Sequence, residues 1–169
     1  FEEIEALTVV DVLRRAEIET CTVSISGGDY VNGSHDICVK ADMQLKQARL
    51  NEADMVVLPG GMPGTTNLER CDVLQDALKY RAENNKWIAA ICAAPSILGK
   101  KGYLKGREAV CFPGFEKYLD GAIIGDSRVV VSGNIITSKG AGTAMDFSYA
   151  IVSELKDDAL ARSLSKKMC

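Results

Sequence analysis

The chain has 169 residues, enough for one sizeable hydrophobic core and little more. With 47% apolar and 25% charged residues it has the composition of an ordinary globular protein, which argues against disorder and collagen-like repetition. Twenty basic against 23 acidic residues give a net charge of −3 with no basic block, so no nucleic-acid footprint is expected. No apolar run approaches the roughly 18 residues of a membrane span.

The elements alternate along the chain. Residues 4–16 space apolar side chains as a helix does, with acids at the front and Arg14-Arg15 at the back, as the helix dipole favours. Residues 21–25 alternate like a strand, residues 26–29 supply a turn, and a short strand or hairpin piece is predicted at 36–39. Asp54–Leu58 is a compact apolar run ending in Pro59-Gly60-Gly61, the pattern of a buried parallel strand and its turn. A helix is predicted at 72–84, a second apolar strand at 87–91, and a helix over Ala93–Lys101 with Pro95 in its first turn. Val129–Val131 and Asn134–Thr137 flank Ser132-Gly133 as a tight pair of strands, and helices at 143–155 and 157–167 close the chain. Strands alternating with helices predict a parallel α/β layered sheet in a single domain, 1–169. A doubly wound sheet would begin with a strand before the first helix, so either such a strand lies upstream of Phe1 or this part of the sheet is organised in another way.

Two counts narrow the chemistry. One histidine, His35, removes every metal motif that needs two imidazoles, and no metal site is expected. The six cysteines, at 21, 38, 71, 92, 111 and 169, contain no C-x-x-C pair, which reads as reduced thiols in a cytoplasmic protein.

Cys92 stands where the strand at 87–91 meets the following helix, at the carboxyl edge of the sheet where open α/β folds bind ligands. Helix N–H groups and the positive end of the dipole would lower its pKa, and the alanines around it would leave Sγ accessible. The plainer reading is a small buried hydrophobe. Gly60-Gly61 could turn backbone N–H groups into the same edge as an oxyanion hole, or simply end the strand. Gly140-Ala141-Gly142-Thr143 fails as a dinucleotide fingerprint, because Met145 occupies the third glycine position, and reads as a close-packed turn. Glu2 and Glu3 read as solvated helix-front charges, and His35 as a surface loop residue.

Taken together, Phe1–Ala6, Val56–Gly61, Ala89–Pro95 and Thr137–Thr143 resemble the ThiJ/PfpI superfamily, on the branch of the Parkinson-disease-associated protein deglycase and the bacterial YajL-type proteins. The resemblance runs in register along essentially the whole chain. It implies a flavodoxin-like three-layer sandwich with a mostly parallel central sheet, usually a homodimer, with a reactive cysteine at a nucleophile elbow. Cys92 falls on that cysteine and Glu5 on its acidic partner, whose protonated carboxyl donates to sulfur with a raised pKa. Gly61 and Ala93 match the backbone donors. Ala93 stands where protease-like and chaperone-like branches carry histidine, so a Cys–His peptidase is disfavoured, and Phe112 stands where the Parkinson-disease-associated member carries one, as in YajL-type members.

The implied activity is that of a cofactor-free glyoxalase or deglycase acting on α-oxoaldehydes or their glycated adducts. Cys92 would form a hemithioacetal and Glu5 would serve as acid and base. The alternative from the same residues is a redox sensor or stress chaperone working through oxidation of Cys92. Thiazole biosynthesis attaches to the superfamily by name, and nothing in these residues supports it.

Overall fold

The computed structural model describes residues 1–168, so Cys169 lies outside the described residues. Helix α1 spans Glu3–Arg15. Glu2 caps it, its carboxylate accepting from the Glu5 N–H at 2.7 Å. The stretch expected as one strand at 21–25 forms only β1, Val23–Ser24, which pairs in parallel with β4, Met43–Gln44. Between them lies a hairpin of β2, Tyr30–Asn32, and β3, Cys38–Lys40.

The central sheet contains β5, Met55–Leu58, β6, Trp87–Ile91, β9, Val129–Ser132, and β10, Ile135–Ser138. Its order is β5-β6-β10-β9, and among the described residues no strand pairs with the outer edge of β5. β5, β6 and β10 run parallel, whereas β9 returns antiparallel through a turn at Gly133, as its tight spacing suggested. A separate parallel pair joins β7, Glu108–Ala109, to β8, Ile123–Ile124.

The other helices are α2, Gly64–Glu69, α3, Asp72–Glu83, α4, Pro95–Lys100, α5, Ala144–Leu155, and α6, Asp158–Lys167. The expected helix over Ala93–Lys101 is shorter than predicted. Pro95 stands at its first helical position, where its fixed φ and missing N–H are tolerated, and Ala93-Ala94 form a turn before it.

Period-two alternation divides the core. Val56, Leu58, Ile88, Ala90 and Ile135 face one side and pack with Leu74 and Leu78 of α3 and Ile97 and Leu98 of α4. Ala89, Ile91 and Ile136 face the other and pack with Val9 and Val12 of α1 and Phe147 and Ile151 of α5. A sheet buried on both faces explains why its strands read as continuous apolar runs. The result is the expected flavodoxin-like three-layer arrangement with a mostly parallel sheet. No described helix is long and apolar enough to cross a membrane.

The register brings three strand ends to one edge. Leu58 lies opposite Ala90, and Ile91 lies opposite Ser138, so the residues after β5, β6 and β10 emerge together.

Candidate active site

Cys92 follows β6 with φ of +64°, a left-handed conformation that costs a residue other than glycine about 1–2 kcal/mol. Its backbone is held from both sides. The Cys92 N–H donates to the Ser138 carbonyl at 2.9 Å, and its own carbonyl accepts from the Phe112 N–H at 2.8 Å. The sharp turn leaves the thiol half-buried at the sheet edge, the geometry of a nucleophile elbow.

Glu5 reaches the same point from α1. It is 1% exposed and shares the helix face of Val9 and Val12, so packing of that apolar face drives the carboxyl into the protein. The Gly60 N–H donates to Glu5 Oε2 at 2.9 Å. The approach requires glycine, because a Cβ on Gly60 would lie 2.6 Å from both Glu5 Oε2 and Cys92 Cβ and 3.1 Å from Cys92 Sγ. Gly61, at φ of +87°, meets a similar wall: its Cβ would lie 2.5 Å from the Glu2 nitrogen. The Glu2 N–H donates to the Gly60 carbonyl at 3.0 Å, so the start of α1 is tied to the glycine turn.

Glu5 and Cys92 form one proton-sharing pair. Burial raises the Glu5 carboxyl above its ordinary value, opposed by hydrogen bonds from the Cys92 thiol and the backbone N–H groups of Gly60 and Ala141. While Glu5 is ionised, burial and the carboxylate's charge push the thiol up to about 12, against the N–H groups of Ala93 and Gly61. This reverses the lowered thiol pKa expected from the helix dipole. The helix after Cys92 begins only at Pro95 and is six residues long. Two negative charges are unfavourable in so small a buried volume, so the pair keeps one proton over a broad pH range. Protonation of Glu5 removes its charge and with it two of the influences that raise the thiol.

Gly61 and Ala93 each have the backbone N–H toward the sulfur. Gly60 commits its N–H to Glu5 instead. Gly140–Thr143 is a close-packed turn, as read from the sequence, with the Gly140 N–H donating to Thr143 Oγ1 at 3.1 Å.

The front of α1 corrects one expectation. Neither Glu3, a buried residue at 5% exposure, nor Glu2, whose side chain is 13% exposed, is a solvated charge. The Glu3 carboxylate takes the His35 backbone N–H at 2.7 Å and contacts His35 Nδ1 at 2.9 Å. Burial works to raise Glu3, but the His35 ring and backbone N–H groups outweigh it and hold the carboxyl at about 2. The hydrogen bond to Glu3 raises the exposed His35 in return. His35 thus lies in a surface loop, as expected, and pairs with Glu3. Glu2, Glu3 and His35 each place a ligand-type atom within 4.8 Å of the others, the group among the described residues that could hold a cation. Glu2 Oε2 is already taken by the Glu5 N–H, and both Glu3 oxygens are taken by His35.

Phe112, set by resemblance at a histidine place, is 47% exposed, and its ring would lie 3.3 Å from a Cβ built on Gly140, a point 3.8 Å from Glu5 Oε1. The five described cysteines are free thiols.

A three-layer α/β protein with a strained, half-buried cysteine against a buried glutamate at the carboxyl edge of its sheet belongs to the class built around a nucleophile elbow. The DJ-1/PfpI family profile matches residues 1–154, and the chain belongs to that family. It is 35% identical over 98% of its length to protein dj-1beta of Drosophila melanogaster, covering 89% of that protein. It is 32% identical over 99% of its length to the glutathione-independent glyoxalase DJR-1.2 of Caenorhabditis elegans, covering 90% of it. The chain spans only 38% of the length of the Arabidopsis thaliana DJ-1 homolog B, which it matches at 38% identity. The solved structure of oxidized Toxoplasma gondii DJ-1 superposes with a TM-score of 0.93 at 36% identity, covering 99% of this chain and 91% of that one.

Proposed function

We propose that the chain is a cofactor-independent glyoxalase or deglycase that converts small α-oxoaldehydes, or their adducts, through a covalent intermediate on Cys92. The observation that carries this reading is the meeting of Glu5 Oε2 and Cys92 Sγ, 2.6 and 3.1 Å from one point above Gly60. The membership of a named glyoxalase in the same family supports it.

With methylglyoxal, Cys92 sulfur adds to the aldehyde carbon as Glu5 takes the thiol proton, which overcomes the high thiol pKa at the moment of attack. The aldehyde oxygen develops negative charge beside the N–H groups of Gly61 and Ala93 and then receives the proton from Glu5, giving a hemithioacetal. Glu5, again a carboxylate, removes the proton from that carbon to form an enediolate and returns it to the neighbouring carbon, while the hydroxyl proton passes from the first oxygen to the second. The product is a thioester of lactate, an isomer of the hemithioacetal, so no external oxidant or reductant is needed. Water cleaves the thioester, releasing lactate and the Cys92 thiol.

The test is conversion of methylglyoxal to lactate by wild-type, Cys92→Ala and Glu5→Gln proteins. Wild type is expected to turn over, Cys92→Ala to be inactive, and Glu5→Gln to lose about 10²–10⁴-fold. Undiminished turnover by folded Cys92→Ala would end the proposal.

A second reading is favoured by the relative solved in oxidized form. Cys92 is half-exposed, and oxygens added to its sulfur would meet the N–H groups of Gly61 and Ala93. Mild peroxide adding two oxygens at Cys92, in protein with no aldehyde turnover, would make sensing the function. Both readings are of a homodimer, which sedimentation would establish.

A further inference from the structure

We infer that Phe112 sets the specificity of the Cys92 site, selecting uncharged α-oxoaldehydes that carry an apolar, best an aromatic, substituent. This rests on the proposed aldehyde chemistry and names the substrate class within it. Phe112 is a large apolar side chain left 47% exposed next to a reactive pair, where burial by a ligand would remove apolar surface from water. Its position is fixed at both ends. The backbone N–H is tied to the Cys92 carbonyl at 2.8 Å, and the ring packs edge-on against Phe115 with centroids 6.5 Å apart. Phe115 in turn lies against Tyr118 at 5.8 Å, so the wall is a braced aromatic row.

The ring also closes on the chemistry. A Cβ on Gly140 would meet the Phe112 ring at 3.3 Å and Glu5 Oε1 at 3.8 Å, so ring and carboxyl both lie close against the same glycine. A substrate carbon attached to Sγ and served by Glu5 would put its substituent against this ring. The charges acting on the pair are themselves carboxylates, with Glu2 acting on Glu5 and Glu5 on Cys92. A carboxylate or phosphate on the substrate would meet repulsion there. An aromatic substituent can stack edge-on or offset against Phe112, as Phe115 already does.

Two ratios test this in wild type, Phe112→Ala and Phe112→Leu. One is kcat/KM for phenylglyoxal over methylglyoxal. The other, independent of turnover, is the rate of Cys92 alkylation by N-phenylmaleimide over N-ethylmaleimide, read by peptide mass. Phe112→Ala is expected to lower both ratios about tenfold, the discrimination typical of an apolar pocket contact, and Phe112→Leu to lower them less. Ratios unchanged in Phe112→Ala would overturn the inference. If wild type turns over neither aldehyde, the proposed function fails, and the alkylation ratio alone decides whether Phe112 selects what reaches the sulfur.

Discussion

Arg81 and Glu5 are both almost completely shielded from water, and the protein treats them in opposite ways. Arg81, at 0% exposure, spends its guanidinium on four carbonyls: Trp87 at 2.9 Å, Leu50 and Ala53 at 2.9 Å, and Asp54 at 2.6 Å. It ties α3 to the amino ends of β5 and β6, beside a cleft of about 620 Å³ lined in part by Asp54, Lys86 and Trp87. Glu5 sits at the opposite edge of the same sheet with a thiol as its one side-chain hydrogen-bond partner. A buried charge surrounded by fixed acceptors is locked. One whose partner can itself give up a proton is poised to react.

Removing the locked group has the larger effect on stability. Arg81→Leu is expected to destabilise the fold by about 3–5 kcal/mol, because several buried carbonyls lose their donor together. Urea unfolding measures this. A loss below about 1 kcal/mol would mean that the carbonyls find other partners, and the contrast with Glu5 would weaken.

At the reactive end, strain should be recoverable. Cys92→Gly is expected to be about 1 kcal/mol more stable than Cys92→Ala, since only glycine holds φ of +64° without penalty. Thermal unfolding of the two variants compares them, and equal stabilities would show that the elbow stores no backbone energy.

The smallest expected effect is in pH dependence, where the two buried glutamates have opposite signs. Glu3 is lowered from 4.5 to about 2, so its stabilisation is present above the ordinary value and lost as pH falls from about 4.5 towards 2. Glu5 is raised, so its contribution is present at low pH and lost as pH rises through its folded value. Glu3→Gln should flatten the acid limb of a stability–pH curve. An unchanged limb would contradict the His35–Glu3 pairing.

Much of the fold was legible because a sheet buried on both faces leaves apolar runs that single out β5 and β6. The short exposed pieces were not. β2 has an exposed–intermediate–exposed pattern of only three residues, and α2 is six residues opening on Gly-Thr-Thr, too short and too weakly helix-favouring to leave a period. The antiparallel return of β9 was legible too, because Ser132-Gly133 between two apolar runs leaves room only for a tight turn.

In the site, Cys92 was marked by its place between strand and helix, whereas Glu5 came from resemblance. A direct signal existed: Glu5, Val9, Val12 and Ala16 follow helical spacing, which places an acid on the buried stripe. Glu3's burial had no such signal, because the loop at 33–37 covers it from another part of the chain. The thiol's raised pKa also could not be read locally. It depends on burial by three strand ends and on Glu5, 87 residues away in sequence.

The central claim is that Glu5 and Cys92 share one proton and work as a unit. The most direct measurement is the rate of Cys92 alkylation by a small neutral reagent against pH, in wild type and in Glu5→Gln. Two ionisations are expected in the wild-type profile and one in the variant, because a glutamine cannot exchange the proton. Identical profiles in the two proteins would show that the thiol titrates alone and that the pair is no unit.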